Sequence, residues 1–243
     1  MGRARFHFHG VLEDLLPAHQ RGTWLVYDFR GAPSLKHALE TFGVPHPEIG
    51  APSDLHRPVR DGEDLHIFPH LSFAPPGGEW RFLLDCHLGR LAKYLRILGF
   101  DTLYEKHAPD DWLASTSHDQ RRMLLTMDRG LLMRSLVEHG ALVRSATPRL
   151  QLAETIHRFR LQPHFRPLRR CLRCNALLAP VPKSQVLHRI PPKTRLWCEE
   201  FLQCPSCAQV YWPGSHHDSM LQWVALLRQP SKSAPSPAPP EDC

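Results

Sequence analysis

Residues 81–104 read RFLLDCHLGRLAKYLRILGFDTLY, and this stretch decides the fold. RFLLD is a short apolar run of the kind that forms a buried strand. From His87 to Leu98 the apolar spacing becomes helical, with Leu88, Leu91, Ala92, Leu95 and Leu98 on one face. Gly99 follows where helices commonly stop, and DTLYE reads as the next strand. The alternation continues downstream. A helix is predicted from Asp110 or Asp111, carrying Trp112 and Leu113. RRMLLTMD reads as a third strand and Arg129–His139 as a third helix ended by Gly140. ALVRS is a fourth strand and Arg149–Arg160 a fourth helix. Strands alternating with helices imply a parallel sheet, so the class is α/β.

Upstream, Ala74-Pro75-Pro76-Gly77-Gly78 reads as a linker. Before it come RFHFHG and WLVYDF, both strand-like. SLKHALETF is a helix with Ser34 as N-cap, and DLHIFPHL is a strand after the turn Asp61-Gly62. Strand, strand, helix, strands is the order of a small β-grasp (α+β) domain. EIGAPSDLHRPV in its middle leaves little room for a full strand. The expected organisation is 1–74 β-grasp, 75–79 linker, 80–168 parallel-sheet domain, 169–224 zinc ribbon and 225–243 disordered tail. The tail, PSKSAPSPAPPEDC, is too rich in Pro, Ser and Ala to bury a core.

Hydrophobic residues make up 42% of the 243, enough for real cores. There is no apolar run of about 18 residues, so no membrane span is expected. Met1–Gly10 has no signal-peptide-like stretch, and the expected location is cytoplasmic. The net charge of +6 is uneven. Residues 1–78 carry 7 Lys/Arg against 9 Asp/Glu, 79–170 carry 16 against 10, and 171–243 carry 7 against 5. A basic middle that retains isolated acids suits a polyanion held near a carboxylate site. An ordinary arginine-rich surface explains the charge equally well.

In an open parallel sheet, ligands bind beyond the carboxyl ends of the strands. Asp85 ends the first strand, Asp128 ends the third, and Asp110 and Asp111 open the helix after the second. Carboxylates gathered there repel one another unless a cation neutralises them. Magnesium or manganese does so with oxygen ligands, activates water and stabilises charge on a phosphate. That is phosphodiesterase chemistry, with Arg90, Lys93, Arg96 and Arg129 placed to hold the substrate backbone. Each acid also has a structural reading: Asp85, Asp110 and Asp111 as helix caps, Asp128 as a turn residue paired with Arg129.

Cys171, Cys174, Cys204 and Cys207 form two C-x-x-C pairs separated by 29 residues. Four thiolates make a closed tetrahedral zinc site, which is structural. Cys86, Cys198 and Cys243 are assigned no role. His216 and His217 follow the second pair, facing phosphate or, more simply, the solvent. Trp197, Tyr211 and Trp212 are placed to stack on bases or to fill the ribbon's small core.

With these residues in hand, the stretch above, then APDDWL, RMLLTMDRGLL, RCLRCN and FLQCPSCAQVYWPGSH, resembles the ribonuclease domain at the C-terminus of the Mutator-seven exonuclease (Mut7-C), over roughly residues 80–220. The resemblance implies a PIN-like nuclease fold with an appended zinc ribbon. It also implies a ubiquitin-like domain in front, which residues 3–73 resemble more loosely. The family's acids fall on Asp85, Asp110 and Asp128, with Asp111 a weaker fourth, and Thr126 matches its threonine before the last acid. Two positions depart. Cys86 stands where an acidic or amide residue often follows the first Asp, and Met127 stands where an arginine is usual.

The expected function is therefore a metal-dependent ribonuclease. It would hydrolyse RNA phosphodiester bonds, single-stranded RNA by preference, with Mg²⁺ or Mn²⁺ at the acids and structural Zn²⁺ at the cysteines. Arg90, Lys93, Thr126 and Arg129 are the expected substrate contacts. The N-terminal domain is expected to dock RNA or a protein partner. The alternative is a non-catalytic RNA-binding or adaptor protein, indifferent to chelation at its acids and steeply salt-dependent.

Overall fold

A computed structural model describes residues 1–51, 54–70 and 73–228. In chain order the strands and helices are β1 (Gly2–Phe8), β2 (Leu25–Phe29), α1 (Leu35–Thr41), β3 (Ile49–Ala51) and β4 (Asp64–Pro69). Next are β5 (Arg81–Leu84), α2 (Gly89–Ile97), β6 (Asp101–Tyr104), α3 (Asp110–Asp119), β7 (Met123–Thr126), α4 (Arg129–Leu132), β8 (Gly140–Leu142) and α5 (Pro148–Phe159). Last are β9 (Ala179–Pro180), α6 (Lys183–Val186), α7 (Pro192–Trp197), β10 (Leu202–Gln203), β11 (Val210–Tyr211) and α8 (Ser215–Arg228). Helix α8 thus continues past 225, where the tail was expected to begin, and the rest of the tail lies outside the described residues.

The chain folds as two compact units, each made of two segments: residues 1–78 with 108–142, and 79–107 with 143 onward. In the first unit the N-terminal sheet has the order β2-β1-β4-β3. Its central pair, β1 and β4, is parallel, and β2 and β3 flank it antiparallel. Strand β3 is only three residues long, in keeping with the cramped EIGAPSDLHRPV segment. Alternation along β1 buries Ala4, Phe6 and Phe8 and turns Arg3, Arg5 and His7 outward. Phe6 and Phe8 meet Phe42 at 5.3 and 5.6 Å. Helix α1 starts at the predicted cap, with Ser34 Oγ accepting from His37 N at 3.2 Å.

The other half of this unit carries the parallel pair β7–β8 with α3 and α4. Helix α4 is one turn long, not the eleven residues its pattern suggested. Gly140 is the first residue of β8 rather than a helix stop. A Cβ there would meet Leu132 Cδ2 at 2.6 Å, so the glycine lets α4 lie close against the strand. The two halves are joined by buried polar bonds. His46 Nε2 bonds Val137 O at 2.8 Å and its Nδ1 meets Glu40 Oε1 at 2.8 Å. The buried Glu48 Oε1 accepts from Leu142 N at 2.6 Å. Such bonds are fixed by the cost of leaving a buried amide unmade.

In the second unit β5 and β6 pair in parallel, with Arg81 opposite Asp101 and Leu84 opposite Tyr104. Helix α2 lies on β6 and against α5, with all five predicted face residues buried. Phe82 stacks on Trp80 at 5.8 Å and meets Phe100 edge-on at 5.7 Å. Gly99 has φ +95, and a Cβ on it would lie 1.9 Å from Arg166 O. No other residue satisfies both constraints. Residues 166–168 come this close because Arg166 N and Leu168 N donate to Leu98 O and Ile97 O at 2.8 and 3.0 Å. They lead directly into the cysteine segment, whose three-stranded sheet has the order β11-β10-β9.

Candidate metal centre and acidic site

The ligand sulfurs of Cys171, Cys174, Cys204 and Cys207 all lie within 4.8 Å of one another. The two C-x-x-C turns are built alike. Asn175 N donates to Cys171 O at 2.9 Å and Ala208 N to Cys204 O at 3.0 Å. Asn175 and Ala208 both adopt positive φ, 72 and 58, which turns the chain around the sulfurs. Burial alone would raise the Cys171 thiol. Hydrogen bonds from the Tyr211 hydroxyl, the Cys174 and Arg173 amides and the Cys207 thiol instead bring it down to about 6. At Cys207 the Gln209 amide acts to lower the thiol, but burial and the neighbouring sulfurs push it up to about 12. The two sulfurs lie 3.5 Å apart. Four clustered sulfurs, one predisposed to the thiolate, fit a tetrahedral ion.

The knuckle is bolted to the sheet by residues that sequence reasoning missed or misassigned. Asn175 Oδ1 accepts from Thr102 N at 2.9 Å and its Nδ2 donates to Asp101 Oδ1 at 2.8 Å. Arg96, expected at the substrate, is buried instead. Its Nη1 donates to Leu172 O and Arg173 O at 3.2 and 3.0 Å, and its Nε donates to Thr102 O at 3.0 Å. Burial lowers its pKa, opposed by Cys171, Cys174 and Asp101. A helical arginine at that spacing had looked like a surface cation. Its apolar neighbours Leu95 and Ile97 were the available sign of burial. Tyr211 lies against Cys171 Sγ at 3.2 Å and Trp212 packs on the Val186–Phe201 cluster. Both fill the ribbon, whereas Trp197 is exposed.

The acids sit at the predicted strand ends. Asp85 follows β5 and is buried, and its Oδ1 accepts from His87 N at 2.9 Å. Tyr104 closes over this turn, its hydroxyl donating to Cys86 O at 3.1 Å. Burial, then the neighbouring Cys86 and Asp85, raise the Tyr104 pKa, so that hydroxyl keeps its proton. Asp128 follows β7, and its Oδ1 accepts from Gly130 N at 2.7 Å. Both aspartates therefore cap helical turns: Asp85 in keeping with its structural reading, Asp128 where a turn paired with Arg129 was expected. A carboxylate offers about four lone-pair sites, so at Asp128 the amide bond leaves capacity for a cation.

Asp110 and Asp111 form the first turn of α3 and share one cation, Arg134. Its Nη2 lies 3.6 Å from Asp110 Oδ2, and its Nη1 pairs with Asp111 Oδ1. Asp111, Trp112, Ser115, Arg134 and Leu136 line a shallow depression. Sequence spacing gave no sign of Arg134. Thr126 is fully buried and its Oγ1 accepts from Asp128 N at 2.9 Å. From within the core it holds the Asp128 backbone in place. Arg90 and Arg129 are exposed and Lys93 is half-buried, and Arg129 spends one donor on Leu15 O at 2.7 Å.

Parallel β-strands followed by aspartates, together with a cluster of four cysteines on two C-x-x-C turns, define an α/β protein with a four-cysteine ribbon. The chain belongs to the Mut7-C RNAse domain family, whose profile matches residues 80–224. Residues 1–73 match the Mut7-C ubiquitin family. No curated protein and no solved structure gives a match. No helix among the described residues is long and apolar enough to cross a membrane.

Proposed function

We propose that the chain is a divalent-metal-dependent ribonuclease acting at Asp85, Asp110 and Asp128, with a structural zinc ion at the four cysteines. The family match over 80–224 carries this reading. The location of Asp85 and Asp128 directly after parallel strands supports it. Oxygen-only donors suit Mg²⁺ or Mn²⁺. When bound, such an ion activates water and stabilises the negative charge that builds on the phosphate.

The protein's own groups do the rest. Asp85 and Asp128 hold their carboxylates rigidly, because each is tied to a backbone amide two residues on. Thr126 fixes the Asp128 backbone. Arg134 neutralises Asp110 and Asp111 in the absence of a cation and offers its guanidinium to phosphate when one binds. Exposed Trp112 beside it is a stacking surface for an unpaired base. Arg90, Lys93 and Arg129 contact the RNA backbone, and the preferred substrate is single-stranded.

Asp85→Asn and Asp128→Asn separate catalysis from capping. Asparagine caps a helix as well as aspartate does but lacks the charge a metal needs. Cleavage of end-labelled single-stranded RNA in Mn²⁺ should fall by at least ~100-fold, with melting temperature and RNA binding nearly unchanged. The second reading, a binding protein, is favoured by the caps and the Arg134 pairs. Unaltered, EDTA-insensitive cleavage in both variants would establish that the acids are only caps.

A further inference from the structure

We propose that His7, His9 and His66 form a second transition-metal site, on the outward face of the N-terminal sheet, for a divalent ion of the zinc, nickel or copper class. The register builds it. Strands β1 and β4 are parallel with His7 directly opposite His66, and neighbouring strands lie about 4.8 Å apart. Alternation brings His9, two residues beyond His7, to the same face. One ring nitrogen from each of the three lies within 4.8 Å of the others. Tetrahedral coordination at about 2.0–2.1 Å needs nitrogens roughly 3.4 Å apart, a small rotation away. His9 Nε2 and His66 Nδ1 already approach to 2.8 Å. His7 Nδ1 is enclosed and has no hydrogen-bond partner among the described residues.

The surroundings hold the rings. Phe68 stacks on His9 at 4.4 Å with planes 7° apart, and Trp24 stands edge-on to His7 and His66 at 5.4 and 4.9 Å. The charges of Arg3 and Arg5 on the same face are offset by their pairs with Asp28 and Asp64. Three neutral imidazoles suit Zn²⁺, Ni²⁺ and Cu²⁺ and discriminate against Mg²⁺. They leave a fourth position for water or a partner's side chain. The site is separate in ligands and chemistry from both the thiolates and the aspartates.

The test uses untagged full-length protein with its cysteine site loaded with zinc. Zn²⁺ is titrated calorimetrically, and bound metal is counted by elemental analysis after dialysis. Wild type should take one further equivalent. His66→Ala and His7→Ala should lose it, weakening by more than about 100-fold, because even outer-shell changes cost 10–100-fold. Both should keep the first zinc and the wild-type melting curve. Cu²⁺ bound to the wild-type protein should show electron-paramagnetic splitting from several imidazole nitrogens, a readout that needs no variant. A stoichiometry that stays at one, or a second equivalent undiminished in both variants, overturns the proposal. So does a patch that binds no metal but loses RNA affinity on Phe68→Ala, which would make it a stacking surface.

Discussion

Asn175 shows how much one side chain decides. It is the residue after the second cysteine of the first knuckle, it takes a positive φ, and both ends of its amide bond to β6. Asn175→Ala removes the acceptor from the buried Thr102 amide and places alanine in a left-handed conformation. The expected loss is about 2–3 kcal/mol, read from urea unfolding, with the metal content unchanged. A ribbon that unfolds no more easily in this variant would show that the knuckle is not anchored through it. At the same scale, Asp85 and Asp128 were legible in the sequence because a residue ending an apolar strand has only one place to be. Arg96 and Thr126 were not. Their positions on α2 and β7 were read correctly, but Arg96 finds its partners far along the chain and Thr126 is buried in the core beneath Asp128.

At the scale of elements, the two knuckles and Tyr211 act together. Tyr211 bonds Cys171 Sγ and accepts from Leu172 N at 3.0 Å. Tyr211→Phe removes a bond that lowers the Cys171 thiol, so zinc affinity should fall by about tenfold, measured by competition with a chromophoric chelator. The pH dependence has a definite sign. The folded Cys171 value of about 6 lies below the ordinary 9.0. The thiolate's contribution is therefore complete above pH 9 and is lost as pH falls through 6. In the folded protein, protons compete with zinc for Cys171 as pH falls to about 6 and below, so zinc retention should weaken there, and in the phenylalanine variant the weakening should begin at higher pH. Equal acid release from both proteins would remove Tyr211 from the metal centre's support. Elements were the most legible level. Of the twelve predicted strands and helices, eleven lie near where period and punctuation put them, whereas α4 stops early, where Leu132 packs on Gly140.

Across the whole molecule, the two units should depend differently on zinc at the four cysteines. The ribbon's strands are two residues each, too short to persist on their own hydrogen bonds. The unit of residues 1–78 and 108–142 is held by its N-terminal sheet, the β7–β8 pair and the Glu48 and His46 bonds. Zinc removal by a strong chelator should open the segment between Cys174 and Cys204 to protease, while the N-terminal sheet stays protected in hydrogen exchange. Concerted loss of protection in both units would contradict this division. The sequence by itself determined what depends on short range: the alternation of β and α, the four thiols, and aspartates at strand ends, because period and spacing are properties of neighbouring residues. Only the tertiary structure decided that Arg96 and Asn175 secure the knuckle, that Arg134 meets Asp110 and Asp111, and that three histidines converge, because those meetings join positions up to 77 residues apart and are set by how surfaces pack.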